Sequence, residues 1–263
     1  VLQANNISVT LGRASIIKNI SLMVSPGKFL AIAGPNGAGK STLMKALSGD
    51  LSAYQGHISI NSRALPDWRR GELAKIRGIL PQSASLAFPL TVHEVVMMGR
   101  SPHSDKRDLC RDEWVVSEAL LACDIEGLRN RKYTQLSGGE KQRVQFARVL
   151  AQIWESDRDQ ARYLFLDEPT SALDLAHQHS ILRIALQLAK TKGIAVIAIL
   201  HDLNLAAMYA DQIAMLKDGN IVDLDIPDKI LRPSLIEYTF GFKVLVTRHP
   251  QMNGCPMVIA TLH

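Results

Sequence analysis

The sequence predicts an α/β fold: a parallel core sheet, an antiparallel β flap ahead of it, and a helical subdomain inserted into it. Short apolar runs such as Phe29 to Ala33, Tyr163 to Leu166 and Ile194 to Leu200 alternate with stretches of helical spacing. That alternation is the mark of βαβ units, whose strands are buried on both faces. The stretch Gly34-Pro35-Asn36-Gly37-Ala38-Gly39-Lys40-Ser41-Thr42 fits G-x-x-x-x-G-K-[ST] without a mismatch and sits between the first of those runs and a helix. From Thr91 to Tyr133 the periodicity becomes helical, which places a separate small unit there.

In chain order, Ile7 to Thr10 and Ile16 to Val24 alternate apolar and polar residues in places, as half-buried strands do. Ser25-Pro26-Gly27 turns the chain into the buried strand Phe29 to Ala33, and Thr42 to Ser48 is the helix after the glycine-rich loop. Gly56 to Asn61 is a further strand, and Gly78 to Gln82 a short one that ends in a polar residue. Val92, Val95, Val96, Trp114, Ala119 and Leu120 mark the helical stretch, broken at Ser101-Pro102-His103. Gly138 to Ile153 reads as an amphipathic helix, Trp154 to Arg162 as a charged loop, and Tyr163 to Leu166 as a buried strand ending at Asp167-Glu168. A helix over Leu175 to Lys190, a strand over Ile194 to Leu200 and a helix over Leu203 to Tyr209 follow. Ile213 to Leu216 and Ile221 to Leu224 flank Asp218-Gly219, a strong hairpin signal. The tail opens as a helix and offers Val244 to Val246 and Met257 to Ile259 as strands. Residues 1–90 and 135–225 thus form the core, 91–134 the helical subdomain and 226–263 a C-terminal extension.

The 263 residues suffice for such a core, and 47% hydrophobic content is that of an ordinary globular protein. No apolar run approaches the ~20 residues that span a bilayer, so any membrane role passes through a partner. Val1 to Asn6 has no signal-peptide character. Cys110, Cys123 and Cys255 are far apart and form no C-x-x-C pair, as reduced cytosolic thiols would be. A net charge of +5 is spread along the chain with only 5% aromatics, which describes a solvated surface better than a nucleic-acid face.

The glycine-rich loop lets the backbone wrap a phosphate and presents N–H groups at a helix start, where the dipole favours an anion. Lys40 then reaches the outer phosphates, and the Ser41 hydroxyl binds Mg2+. Asp167 and Glu168 emerge where open α/β sheets bind ligands. One of the two holds the metal ion, directly or through water, and Glu168 is placed to deprotonate the water that attacks a γ-phosphate. Alone, the pair would also serve as a helix cap before Pro169. His201 ends the next strand at the same edge, within reach of a γ-phosphate, although an end-of-strand histidine is often only a cap. Gln82 is in an equivalent position. Leu136-Ser137-Gly138-Gly139-Glu140 opens a helix with a hydroxyl and exposed N–H groups, a second anion site.

Together these stretches resemble the motifs of ATP-binding cassette (ABC) ATPases, over nearly the whole chain and in order. The glycine-rich stretch is similar to the P-loop, Gln82 to the Q-loop, Leu136 to Glu140 to the signature, Leu164 to Glu168 to Walker B, Ser171-Ala172-Leu173-Asp174 to the D-loop and His201 to the switch histidine. The resemblance implies a head-to-tail homodimer with each ATP between the P-loop of one subunit and Ser137, Gly138, Gly139 and Glu140 of the other, with Asp174 at the same boundary. It implies that Ser41, Gln82 and Asp167 surround Mg2+, that Glu168 is the base and that His201 contacts the γ-phosphate. It further implies integral membrane permease subunits, a periplasmic or surface binding protein acting through them, and a place on the cytoplasmic face of the cell membrane. Phe88 to Val92 and Met98 to His103, with Phe240-Gly241, His249-Pro250 and Gly254 to Pro256 in the tail, look like the ATPases of metal-chelate importers, which carry haem, ferric siderophores or cobalamin. Met97 to Ser104, Trp154 to Arg162 and Tyr133-Thr134-Gln135 look most like the haemin group. ABC ATPases that act on nucleic acid form a different class, with a long coiled coil or two cassettes, whereas here only about 50 residues separate Gln82 from the signature, the size of a compact subdomain. An exporter ATPase fits the segment after Gln82 less well.

One position departs from the family pattern. Leu11 stands where an aromatic residue usually stacks on the adenine. Leu11→Tyr is expected to tighten ATP binding in a titration, since a stacked ring adds about 1 kcal/mol to apolar contact; unchanged or weaker affinity would contradict the assignment.

Overall fold

The computed structural model describes residues 1–82, 86, 88–106, 108–155, 160–171, 174–252 and 254–261. Residues 156–159 of the charged loop, Ala172 and Leu173 of the D-loop stretch, and the last two residues of the C-terminal extension lie outside the described residues.

The flap is a four-stranded antiparallel sheet in the order β2 (Ala14–Val24), β1 (Leu2–Leu11), β4 (Gln55–Ile60), β5 (Arg63–Ala64). The core sheet runs β10 (Asn220–Asp225), β9 (Gln212–Lys217), β3 (Phe29–Ala33), β8 (Ala195–Ile199), β7 (Tyr163–Leu166), β6 (Arg77–Leu80). All its neighbours are parallel except the hairpin pair β9 and β10. The hairpin turns at Asp218 and Gly219, both with positive φ, as the dipeptide predicts.

The alternation of the buried strands sorts the interior into two layers. Phe29, Ala31, Leu164, Leu166, Val196 and Ala198 point into one cluster, whereas Leu30, Ile32, Tyr163, Phe165, Ala195 and Ile197 point into the other. On the second face lie the flap and α1 (Lys40–Ser48). The same face is edged by α2 (Arg70–Ile76), which the sequence reading did not find. Only Leu73 and Ile76 of that helix are buried, too few to make a period visible.

On the first face pack α3 (Val92–Met97), α4 (Leu109–Ala122), α5 (Gly138–Ile153), α6 (Leu175–Lys192) and α7 (Leu203–Tyr209). The Thr91 hydroxyl caps α3 in a reciprocal box with Glu94. Beyond α7, α8 (Pro227–Ile230) and α9 (Pro233–Phe240) lead to a two-stranded hairpin of β11 (Val244–Arg248) and β12 (Pro256–Ala260).

α5 is the joint between the sheet and the helical segment, since α3, α4 and β6 all contact it. The chain between α3 and α4 is a 3₁₀ run, Met98–Lys106, that lies hard against α5. A Cβ on Gly99 would sit 2.2 Å from the Arg148 carbonyl oxygen, so only glycine permits the approach. Next to it Arg100 is buried, with Nε donating to Asp112 Oδ1 at 2.7 Å and Nη1 to the Ala151 carbonyl at 2.9 Å. Glu155 Oε2 lies farther off, 3.9 Å from Arg100 Nη2, so without Asp112 the buried guanidinium would keep only this weaker carboxylate partner. Asp112→Ala is therefore expected to lower unfolding free energy in urea by about 2 kcal/mol or more, and a change below about 1 kcal/mol would show the pair to be inessential to the joint.

Candidate functional site

The sheet order puts β3, β8, β7 and β6 side by side, all running the same way, so their C-terminal ends form one edge. The glycine-rich loop leaves β3, His201 follows β8, Asp167 and Glu168 follow β7, and Gln82 lies two residues beyond β6. Residues dispersed over some 170 positions of sequence are thereby gathered, with the loop and Glu168 bordering one cleft of about 320 Å3. Ile16 of β2 supplies an apolar wall there.

Gly34 and Gly39 set the loop's shape. A Cβ on Gly34 would be 2.2 Å from the Leu216 carbonyl oxygen, and Gly39, with φ 100, caps α1 in a conformation that an L side chain resists. Pro35 and Asn36 lie between them and Gly37 also has positive φ. The Ala38 carbonyl accepts the Gly219 N–H at 3.2 Å, which ties the loop to the β9–β10 turn. Lys40 is buried, its ammonium donating to the carbonyls of Gly34 and Pro35, both at 2.9 Å. Burial lowers its pKa, and the charges of Glu168 and Asp167 work in the opposite direction. Ser41 and Thr42 line the cleft as the first turn of α1.

Glu168 is the hub of the strand-end cluster. Its Oε2 accepts from Gln82 Nε2 at 2.6 Å, and its Oε1 pairs with His201 Nε2 at 2.7 Å. Its backbone is left-handed, with φ 50, and its carbonyl accepts the N–H and hydroxyl of Ser171 at 3.1 and 2.9 Å. A glutamate held there costs of order 1 kcal/mol or more, and strain of that kind concentrates at functional sites. Asp167 accepts a hydrogen bond from Ser41. Its pKa is raised, by burial first and then by the charge of Glu168, against the opposing influence of Lys45, Ser41 and His201. Neither carboxylate caps a helix: a turn follows Glu168, and α6 is capped by Asp174, whose Oδ1 accepts the His177 N–H at 2.9 Å. Nor is His201 a cap, because Asp202 caps α7.

The second anion site stands apart. The Ser137 hydroxyl caps α5 by accepting the Glu140 N–H at 3.3 Å, while the Ser137 N–H donates to Glu140 Oε2 at 2.7 Å. Gly138 has open space around its Cα, whereas a Cβ on Gly139 would meet the His177 ring at 3.1 Å. His177 in turn bonds Asp174 Oδ1 through Nδ1 at 2.6 Å. Ser137 to Glu140 and Asp174 do not line the P-loop cleft of their own chain. Leu11 lies outside that lining too, half exposed. Sequence reasoning missed Ile16, Lys45 and His177; a histidine three residues after a helix cap carries no signal of the glycine it will touch.

The donors around the cleft suit a hard cation in part. Ser41, Asp167 and Gln82 offer oxygens, and no cluster of three or more His, Cys, Asp or Glu residues able to hold a metal occurs among the described residues. So sparse a protein set fits Mg2+, which keeps waters and phosphate oxygens as its remaining ligands.

A family profile described as ABC transporter matches residues 17–171. The hemin import ATP-binding protein HmuV of Gloeobacter violaceus is 51% identical over 259 residues, covering 98% of this chain and 94% of that protein. The protein of the same name from Pseudomonas fluorescens is 46% identical, covering 99% and 100%. Among solved structures, an inward-facing conformation of a metal-chelate type ABC transporter superposes with TM-score 0.82 at 26% identity, covering 99% of this chain and 97% of that one. A dimeric post-hydrolysis state of the ATP-binding cassette MJ0796, bound to ADP and Pi, gives 0.72 at 28% identity, covering 86% and 99%.

The raised pKa of Asp167 has a sign that stability measurements read. An acid whose folded pKa lies above its unfolded value destabilises the fold when ionised, and that burden vanishes below the unfolded pKa. Asp167→Asn is expected to raise the thermal midpoint at neutral pH, with the gain disappearing as the pH falls through the carboxylate range near about 4; a gain independent of pH would deny the electrostatic origin.

Proposed function

The chain belongs to the ABC transporter family, and on that premise we propose that it is the ATP-hydrolysing subunit that powers import of haem through a membrane transporter. The observation that carries the enzymatic part is the Glu168 carboxylate, fixed by Gln82 and His201 beside the P-loop. Full-length similarity to proteins named for hemin import supports the cargo.

In this assignment the N–H groups of residues 34–42 bind the phosphates of ATP, and Lys40 exchanges its two carbonyl partners for the β- and γ-phosphate oxygens. Mg2+ held by Ser41, Gln82 and Asp167 would neutralise charge on the β- and γ-phosphates. Glu168 accepts a proton from water as its oxygen attacks the γ-phosphorus; the bond to the bridging oxygen breaks, giving ADP and phosphate. His201 hydrogen-bonds the γ-phosphate and gives up its pairing with Glu168 in doing so.

A second copy, packed head to tail, completes each site with Ser137, Gly138, Gly139, Glu140 and Asp174, which the chain's own cleft does not use. ATP binds more strongly to the closed pair than to the open one, and that difference drives the membrane partner. Among the described residues no helix is long and apolar enough to cross a membrane, consistent with separate permease subunits. Residues 91–134 form the subdomain that receives those subunits at the cytoplasmic face of the membrane; residues 1–90 and 135–225 form the motor and 226–263 its extension. The binding protein acts on the far side, through the permease.

The test is ATP-driven uptake into vesicles holding this chain, its permease and its binding protein, with haemin, a ferric siderophore and cobalamin offered in parallel. Haemin uptake alone is expected, reduced on the order of 100-fold or more by Glu168→Gln with ATP binding retained. Uptake of a different chelate overturns the cargo, and near-normal hydrolysis by Glu168→Gln removes the base from its role.

A further inference from the structure

Asn204 lies in the first turn of α7, three residues after His201, and no role above involves it. Its side-chain amide forms a reciprocal pair with a single backbone residue of the C-terminal hairpin. Asn204 Nδ2 donates to the Val258 carbonyl at 3.1 Å, and the Val258 N–H donates to Asn204 Oδ1 at 2.7 Å. Val258 is opposite Val246 in the β11–β12 ladder. For both of its backbone groups to reach Asn204 they must point away from β11, as those of a non-hydrogen-bonded antiparallel pair do. Asn204 thus takes the place that another strand would take on the free edge of β12. A carboxamide mimics a peptide group here, offering its donor and acceptor side by side.

The clamp acts on the turn that bears the switch histidine. Asp202, next to His201, accepts the N–H groups of Asn204 and Leu205 at 2.7 and 3.2 Å, and His201 meets Glu168. The far end of α7 is pinned as well, by the Tyr209 hydroxyl against His179 Nδ1 of α6 at 2.7 Å. Short helices fray at their ends unless the free groups there are held. We infer that Asn204 is a positioning residue for His201, and that the C-terminal hairpin, through Val258, is a working part of the hydrolytic site. This rests on His201 acting on the γ-phosphate. Without the clamp the first turn of α7 loosens and His201 spends less time aligned, while the P-loop, which α7 does not form, binds ATP as before.

The experiment measures steady-state hydrolysis, ATP affinity and urea unfolding for the full-length chain carrying Asn204→Ala, His201→Ala and both. Asn204→Ala is expected to lower kcat about tenfold with KM and ATP affinity within about twofold, since small misplacements of a catalytic group act on the rate. Folding should persist, because Val246 and Val258 still pack on the core. The double variant should be no slower than His201→Ala alone, the signature of two residues acting as a unit. Losses that multiply, or an Asn204→Ala kcat equal to the parent's, overturn the inference. Full turnover by His201→Ala would instead remove its premise. If Asn204→Ala does not fold, Asn204→Asp, isosteric but lacking the donor, carries the same expectation and the same refutation.

Discussion

Parallel pairing of β6, β7, β8 and β3 is the constraint from which the chemistry follows. Strands that run the same way end on the same side, and each must be followed by a connection that starts there. The glycine-rich loop opens one such connection, and Gln82, Glu168 and His201 are each the second residue of another. Covering the sheet on both faces, with strand side chains alternating between two apolar clusters, makes that edge the place where polar groups can converge without being swallowed.

Convergence has an electrostatic cost, and the site is arranged around it. Asp167 and Glu168 bring two carboxylates together beside a buried ammonium; both raise the pKa of Lys40 against its burial, and Glu168 adds to the rise that burial imposes on Asp167. Lys40 finds two backbone carbonyls, Asp167 a hydroxyl, and Glu168 an amide and an imidazole. Each contact is one that a triphosphate with its cation could take over, so preorganisation here means that the groups already face the right way.

Most of this was legible in the sequence because the signals were local. The bounds of α5 and α7, of β7 and of the β9–β10 turn follow from apolar runs and turn residues that act over a few positions. The glycine-rich loop was plain because its spacing is dictated by a phosphate. What stayed hidden depends on distant partners. The five other residues of α2 mask its two buried ones, Gly99 is an ordinary glycine until Arg148 is set against it, and nothing near Asn204 in sequence announces Val258. The left-handed backbone at Glu168 was equally silent, since glutamate is not a residue that advertises positive φ.

The contact between His177 and Gly139 has a bearing on how the sequence could drift. The imidazole would stand only 3.1 Å from a methyl group at 139, and it is anchored there by Asp174, the cap of α6. Glycine at 139 and histidine at 177 are therefore coupled, since a side chain at 139 would press on the ring. A lineage that traded the glycine for a larger residue would push the ring against its bond to Asp174, and so load the link between the beginnings of α5 and α6.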